Sequence, residues 1–300
     1  MAESRLQEVY ESGGFAVTAE IGPPMSSNAS LVEKCADLLK GTVHAANVTD
    51  NQTSIVRMSS IAAAYIGQTR GVETIMQMTC RDRNRIAIQS DLLGAYALGI
   101  RNLLCLSGDH QSLGNQPQAK NVFDIDSIQL IKAVADMKNE GIFMNGKKSK
   151  HMPKFFIGTT INPFADPFDL QLIRLRKKIN AGAQFVQTQA VYDVDRFAAW
   201  MEEVRKLGLH EQVYIQAGVL VNKSVRSIEM TKKVSGMHIP DILLERMRNA
   251  EDPKKEGVLI ALELIDRLRR IEGVRGIHIM AVGWEEIVPT IVKESGLLPA

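Results

Sequence analysis

Three side chains at the ends of apolar runs have types suited to chemistry. Glu20 stands in AEIGPP, flanked by Ala19, Ile21 and Pro23. A carboxyl in such company is partly desolvated, which raises its pKa toward values useful to a general acid; the plainer reading is a rim carboxylate paired with a lysine. Asp109 follows Ser107 and Gly108 in LSGD. A glycine there lets a flat ligand approach the backbone and the carboxylate balances positive charge developing on it, although Gly-Asp also makes ordinary turns. Gln189 closes QFVQTQ, and its amide offers one donor face and one acceptor face to the edge of a heterocycle; capping a neighbouring helix is the alternative.

Smaller groups gather at similar positions. Thr49 and Asn51 in NVTDN and Thr79 in MQMTC supply short hydrogen-bonding side chains, each of which also suits a helix cap. Lys177 and Lys178 fall late in a helical pattern, where lysine complements the helix C-terminus. Trp284 opens the last helix, placed either to stack on a ligand or to cover the end of the fold. His110 has no second histidine at helical or strand spacing, so no metal is expected. Cys35, Cys80 and Cys105 lack CxxC spacing and cannot by themselves hold an iron-sulfur cluster. An odd, unpaired set fits a reducing compartment, with Cys80 and Cys105 acting as small hydrophobes.

These residues need elements that bring them together. Apolar runs near 15–20, 44–49, 72–79, 100–107, 154–160, 184–189, 212–219 and 276–282 read as strands, each followed by a helical pattern. FAVTAEI, IRNLLCL and KFFIGTTI are near-continuous apolar runs, as buried parallel strands are. Eight βα units without GxGxxG after the first strand favour a closed (β/α)8 TIM barrel, a single α/β domain over 1–300, above an open doubly wound sheet. The strand endings Glu20, Thr49, Thr79, Asp109, Asn162, Gln189, Gly218 and Gly283 then converge on one rim, where barrel enzymes assemble their chemistry. The clearest helix is 253–271, with Asp252 as cap, Pro253 in the first turn, and Val258, Leu259, Leu262, Ile265 and Leu268 as its buried stripe.

Two segments interrupt the repeat. SGDHQSLGNQPQAKNVF (107–123) follows the fourth strand and so lies at the active rim, where long loops form lids or ligand walls. NEGIFMNGKKSKHMPK (139–154) falls at the opposite rim, its Lys147, Lys148 and Lys150 forming a solvated turn.

With a formal charge of +2 the chain has no strong field to gather nucleic acid or an anionic membrane, which points to a small-molecule ligand. No run approaches 18 apolar residues, and MAESRLQEVYESGG lacks the apolar core of a signal peptide, so a cytoplasmic location is expected. Apolar helices such as 54–66 serve either a homo-oligomer or packing on the chain's own strands.

Taken in order, AEIGPP, NVTDN, MQMTCRDRN, LSGD, INPFADP, RKKINAGAQFVQTQAVYD and QAGVL resemble the methylenetetrahydrofolate reductase family over almost the whole chain. The resemblance implies a flavin-binding barrel in which reduced flavin passes hydride to the methylene carbon of 5,10-methylenetetrahydrofolate, giving 5-methyltetrahydrofolate. It implies that Glu20 is the general acid that protonates N10 and that Asp109 stabilises the resulting 5-iminium cation near the folate and flavin. Gln189 would orient the pterin, with Trp284 beside the folate. Thr49, Gln77, Thr79, Ser107, Gly108, Asp109, Phe123, Asn162 and Lys178 would hold the flavin.

The departures from the family pattern are specific. Ser107 stands where relatives carry Arg, Gln77 where they carry His, and Asn162-Pro163 where they carry His-Pro. In the family several of those positions contact the phosphate or adenosine portion of the flavin, which leaves FMN as an alternative to FAD. The Gln and Phe that meet the nicotinamide in NADH-using relatives correspond to Ser227 and Thr231, so an aromatic platform is missing and NAD(P)H is disfavoured as the direct donor. The resemblance to acetogen-like versions then implies electron delivery by an iron-sulfur partner subunit. Two rival readings stay open: a pterin-binding methyltransferase barrel, and a non-catalytic barrel subunit of a larger complex.

Overall fold

The computed structural model describes residues 2–234 and 236–299 and closes eight parallel strands into a barrel, each strand paired with the next in sequence. The strands are β1 (Ala16–Ile21), β2 (Ala45–Val48), β3 (Thr74–Thr79), β4 (Asn102–Leu106), β5 (Phe156–Ile161), β6 (Phe185–Ala190), β7 (Tyr214–Leu220) and β8 (Val274–Met280). β8 returns to β1 through Ala16↔Gly276 and Ala19↔Ile279, so no edge strand is left to pair elsewhere. The expected single (β/α)8 barrel is therefore the architecture, with strand bounds displaced by one or two residues.

Helix α1 (Arg5–Glu11) precedes β1. The barrel is then wrapped by α2 (Ser30–Leu39), α3 (Ser60–Thr69), α4 (Arg85–Ala97), α5 (Ser127–Asn139), α6 (Phe168–Ala181) and α7 (Val194–Lys206). Three helices, α8 (Val225–Lys232), α9 (Asp241–Asn249) and α10 (Pro253–Leu268), separate β7 from β8, and α11 (Val288–Glu294) closes the ring. Local sequence sets their ends. The Asn84 carboxamide accepts from the N–H groups of Ile86 and Ala87, Asp126 and Gln129 form a reciprocal cap on α5, and Asp252 accepts from Lys254 and Lys255. Among the described residues no helix is long and apolar enough to cross a membrane.

Two expectations about helices need correcting. The apolar stripe of α10 is rotated: Ile260, Ala261, Leu264, Ile265 and Leu268 face the core, while Leu259 is 51% exposed. Gly257 sets that rotation, because a Cβ there would lie 1.8 Å from the Asn222 carbonyl oxygen. The apolar segment 54–66 is not one helix. Ser59 caps α3 by accepting from Ala62 N–H, and the residues before it are tied to the barrel mouth, with Met58 N–H donating to Pro24.

Inside the barrel the side chains form layers. At the N-terminal end Leu6 and Tyr10 of α1 plug the opening against Ala16, Ala45, Ile75, Leu104, Phe156 and Phe185. Tyr10 stacks on Tyr214 with ring centroids 4.5 Å apart, and Phe156 on Phe185 at 4.9 Å. The loop over 107–123 follows β4 at the other end. The 139–154 segment folds back through an Ile142–Lys148 bridge, with Lys147, Lys148 and Lys150 exposed as expected.

Candidate active site

Side chains two apart on a strand share a face. One step below the strand ends, the inner face carries a buried polar layer of Thr18, Asn47, Gln187, Gln216 and His278. Gln187 is its hub. Its amide nitrogen donates to Gln216 Oε1 at 2.9 Å and to Asn47 Oδ1 at 3.1 Å, with Thr18 Oγ1 3.5 Å away, while its Oε1 accepts from Asn47 Nδ2 at 2.6 Å. Thr18 Oγ1 lies 2.9 Å from His278 Nδ1. Buried polar groups in such a layer are satisfied mutually, which fixes their orientation.

Glu20 stands on top of this layer. His278 Nε2 is 4.0 Å from Glu20 Oε2, and Gln52 Nε2 donates to Glu20 Oε1 at 3.4 Å. Burial pushes the Glu20 pKa up to about 7, offset by the Gln52 hydrogen bond and reinforced by the Glu285 carboxylate. The same burial drives His278 down to about 3, so the ring is neutral beside it.

Next to Gln52 a cavity of about 420 Å³ opens at the C-terminal ends of the strands. One wall is α6, from which Gln171, Arg174 and Lys178 project at helical spacing. Lys178 is buried and donates to the Thr160 carbonyl at 2.5 Å; burial and the neighbouring Arg174 charge push its pKa down to about 8. Ser127, the first residue of α5, adds the positive end of a helix to this cationic side.

The opposite walls are loops held by two arginines. Arg81, 2% exposed, donates to Asp82, to the Asp109 carbonyl at 3.1 Å and to the Asn51 carbonyl at 3.3 Å, tying together the segments after β2, β3 and β4. Arg83 pairs with the buried Asp50 at 2.6 Å, and Asp50 also accepts from the Thr79 backbone N–H and hydroxyl, each at 2.9 Å.

Of the residues expected at the site, Gln77, Thr79, Ser107, Gly108, Asp109, Asn162 and Lys178 line this cavity. Their roles differ. The Thr79 hydroxyl is engaged with Asp50, Asn162 Nδ2 donates to Gly236, and Gly108 packs closely on Thr79 and Arg81. Thr49 is buried next to Asp50 of the cavity wall, and among the described residues its hydroxyl has no hydrogen-bond partner. Gln189 stands on β6 at a register shift between Gln187 and Ala190, a bulge that re-aims side chains. Phe123 is 41% exposed and outside the cavity wall. The Trp284 ring packs in the core cluster.

Gln52, Asp50, Arg81, Arg174 and His278 were not expected. His278, Asn47, Gln187 and Gln216 carry a signal that inspection of strand ends alone overlooks: each is a polar residue inside an apolar run, in step with the strand's inward face. Ser227 completes the reciprocal cap of α8 with Ser224, and Thr231 is buried against Asn222.

Comparison with known proteins places this geometry. Residues 5–296 match the family model of methylenetetrahydrofolate reductase. Methylenetetrahydrofolate reductase 1 of Schizosaccharomyces pombe is 27% identical over 235 residues, 76% of this chain and 36% of that protein. A 5,10-methylenetetrahydrofolate reductase of Pectobacterium carotovorum is 24% identical, covering 78% of this chain and 73% of that one. The chain spans well under half the length of the first eukaryotic relatives it matches. Among solved structures, a Clostridium thermocellum protein described as binding two copies of 5-methyl-5,6,7,8-tetrahydrofolic acid superposes with a TM-score of 0.70. It is 15% identical and covers 96% of this chain and 98% of its own.

Proposed function

Because this chain belongs to the methylenetetrahydrofolate reductase family, we propose that it reduces 5,10-methylenetetrahydrofolate to 5-methyltetrahydrofolate with a bound flavin, FAD or its shorter alternative FMN. The observation that carries this reading is Glu20, a carboxyl at the barrel mouth whose pKa is held at about 7. An acid so tuned is partly protonated near neutrality and gives its proton to N10 of the folate as the five-membered ring opens. Asp109, exposed at the rim, offsets the positive charge left on the opened ring. Gln189 offers its amide to the pterin edge.

The flavin supplies hydride when bound, and the protein's task toward it is binding and orientation. Two features support a flavin cradle. The partnerless Thr49 hydroxyl provides a buried hydrogen-bonding group that a ligand would satisfy. Lys178 and Arg174, with the N-terminus of α5 at Ser127, suit a phosphate. On α8, Ser227 and Thr231 are engaged within the protein, which supports the reading that no nicotinamide stacks on that helix, and an iron-sulfur partner subunit is the donor proposed in its place.

Release of the bound cofactor and its identification by mass, followed by titration of the reduced protein with methylenetetrahydrofolate, tests the reading. Reoxidation by folate is the expected result, and Glu20→Gln should keep its flavin but lose that reoxidation. A colourless protein that resists reconstitution with either flavin overturns the proposal in favour of a methyl-transferring or non-catalytic barrel.

A further inference from the structure

The segment that carries Gln52 has an unusual backbone. Asn51, Thr53 and Ser54 have φ of 46, 54 and 59°, although none is glycine. Residues with a Cβ avoid this region, and a cluster of them persists only where surrounding contacts over-determine the chain. Those contacts are visible. Arg57 N–H donates to Asn51 Oδ1 at 2.9 Å, Arg81 Nη2 to the Asn51 carbonyl at 3.3 Å, and Val56 N–H to Asn115 Oδ1 at 3.1 Å. Gly114 lies so close that a Cβ on it would be 1.7 Å from the Ser54 carbonyl oxygen. The loops after β2 and β4 are thus clamped together, and the turn between Asn51 and Ser54 delivers the Gln52 amide to Glu20 Oε1 at 3.4 Å.

We propose that Gln52 is a positioning residue for Glu20: its N–H keeps Oε1 as the acceptor, so that the proton of the neutral carboxyl resides on Oε2, and the Gly114 clamp holds the amide in that place. This rests on the reading of Glu20 as the acid. The groups that face Glu20 are few. His278 approaches from β8 at 4.0 Å with a neutral ring, Asn47 stands opposite on β2, and the Glu285 carboxylate lies beyond β8. Among these contacts the Gln52 N–H is the one that favours the ionised carboxyl. The sequence separation of 32 between Gln52 and Glu20 is bridged by the loop conformation, which is why the clamp matters to the acid.

Infrared difference spectra of the full chain, with Glu20→Gln as the blank, report the Glu20 carboxyl band and its titration midpoint without substrate. Gln52→Leu is expected to move that midpoint up by about one pH unit and to shift the band as a hydrogen bond to Oε1 is lost. Gly114→Ala keeps Gln52 but displaces Ser54, and should move the midpoint in the same direction, whereas Leu113→Ala in the same loop should not. An unmoved midpoint in folded Gln52→Leu overturns the proposal while leaving the acid reading intact. A midpoint moved by Gln52→Leu but not by Gly114→Ala overturns the clamp. If both variants move it, the positioning contact stands; full folate-driven flavin reoxidation by Glu20→Gln would then sink only the acid reading.

Discussion

His278 Nε2 stands 4.0 Å from Glu20 Oε2, with the other ring nitrogen 2.9 Å from the Thr18 hydroxyl. The two titratable groups are pushed in opposite directions by the same burial, Glu20 to about 7 and His278 to about 3. Between those values both are neutral, so neither member of the pair carries a charge until the acid gives up its proton.

That relationship sets a pH dependence of stability. The folded chain keeps the Glu20 proton up to about 7 whereas the unfolded chain loses it near 4.5, so stability falls as pH rises through that window. His278 acts with the opposite sign between about 3 and 6.5. Glu20→Gln should therefore gain up to about 3 kcal/mol over the parent above neutrality and little in mild acid. Urea unfolding near pH 8 and near pH 4 measures the difference; an equal gain at both would contradict it.

Lys178 should show a trade between stability and binding. Its pKa is lowered to about 8, so the folded chain is penalised below that value and the penalty fades as pH rises toward 10.5. Lys178→Met is expected to stabilise the flavin-free protein by about 1–2 kcal/mol near pH 7, after allowance for the Thr160 carbonyl left without its donor. The same variant should bind flavin more weakly. Thermal melts across pH and a flavin titration check both, and tighter flavin binding would refute the phosphate role.

Removing Arg81 should loosen the mouth. Arg81→Ala strands the Asn51 and Asp109 carbonyls and the Asp82 carboxylate, at a cost of about 2–4 kcal/mol. Arg81→Lys is not expected to restore it, because one ammonium cannot reproduce a planar fork reaching three acceptors. Guanidinium denaturation of the three proteins decides the point; a lysine variant as stable as the parent would show that charge alone suffices.

Gly158 makes room for the plug at the closed end of the barrel. A Cβ there would meet the Phe185 ring at 2.1 Å, and Phe185 already stacks on Phe156. Gly158→Ala should destabilise by about 1–3 kcal/mol through overpacking. Gly158→Ala combined with Phe185→Leu should recover part of that loss, and a double variant no better than the single would point to another cause.

Much of this was legible in the amino-acid order. The eight apolar runs fix the number of strands, their polar endings put Gln77, Thr79, Ser107, Gly108, Asp109 and Asn162 at one cavity, which Lys178 reaches from α6, and Glu20 was found at the mouth. Asp252 announces the helix start it makes. These features are local, because the period of two along a strand and the hydrogen-bonding habits of a cap act within a few residues.

What the tertiary structure decided is who meets whom. Closure of β8 on β1 joins Thr18 to His278 across 260 positions, and the barrel interior joins Asn47 to Gln187 across 140. Neither pairing follows from spacing, since register and ring closure set it. The left-handed turn at Asn51, Thr53 and Ser54 has no glycine to advertise it, and exists because Arg81, Asn115 and Gly114 from distant segments hold it there. Sequence thus determined which residue types reach the mouth, while non-local packing determined which of them touch Glu20 and so set the proton affinity of its carboxyl.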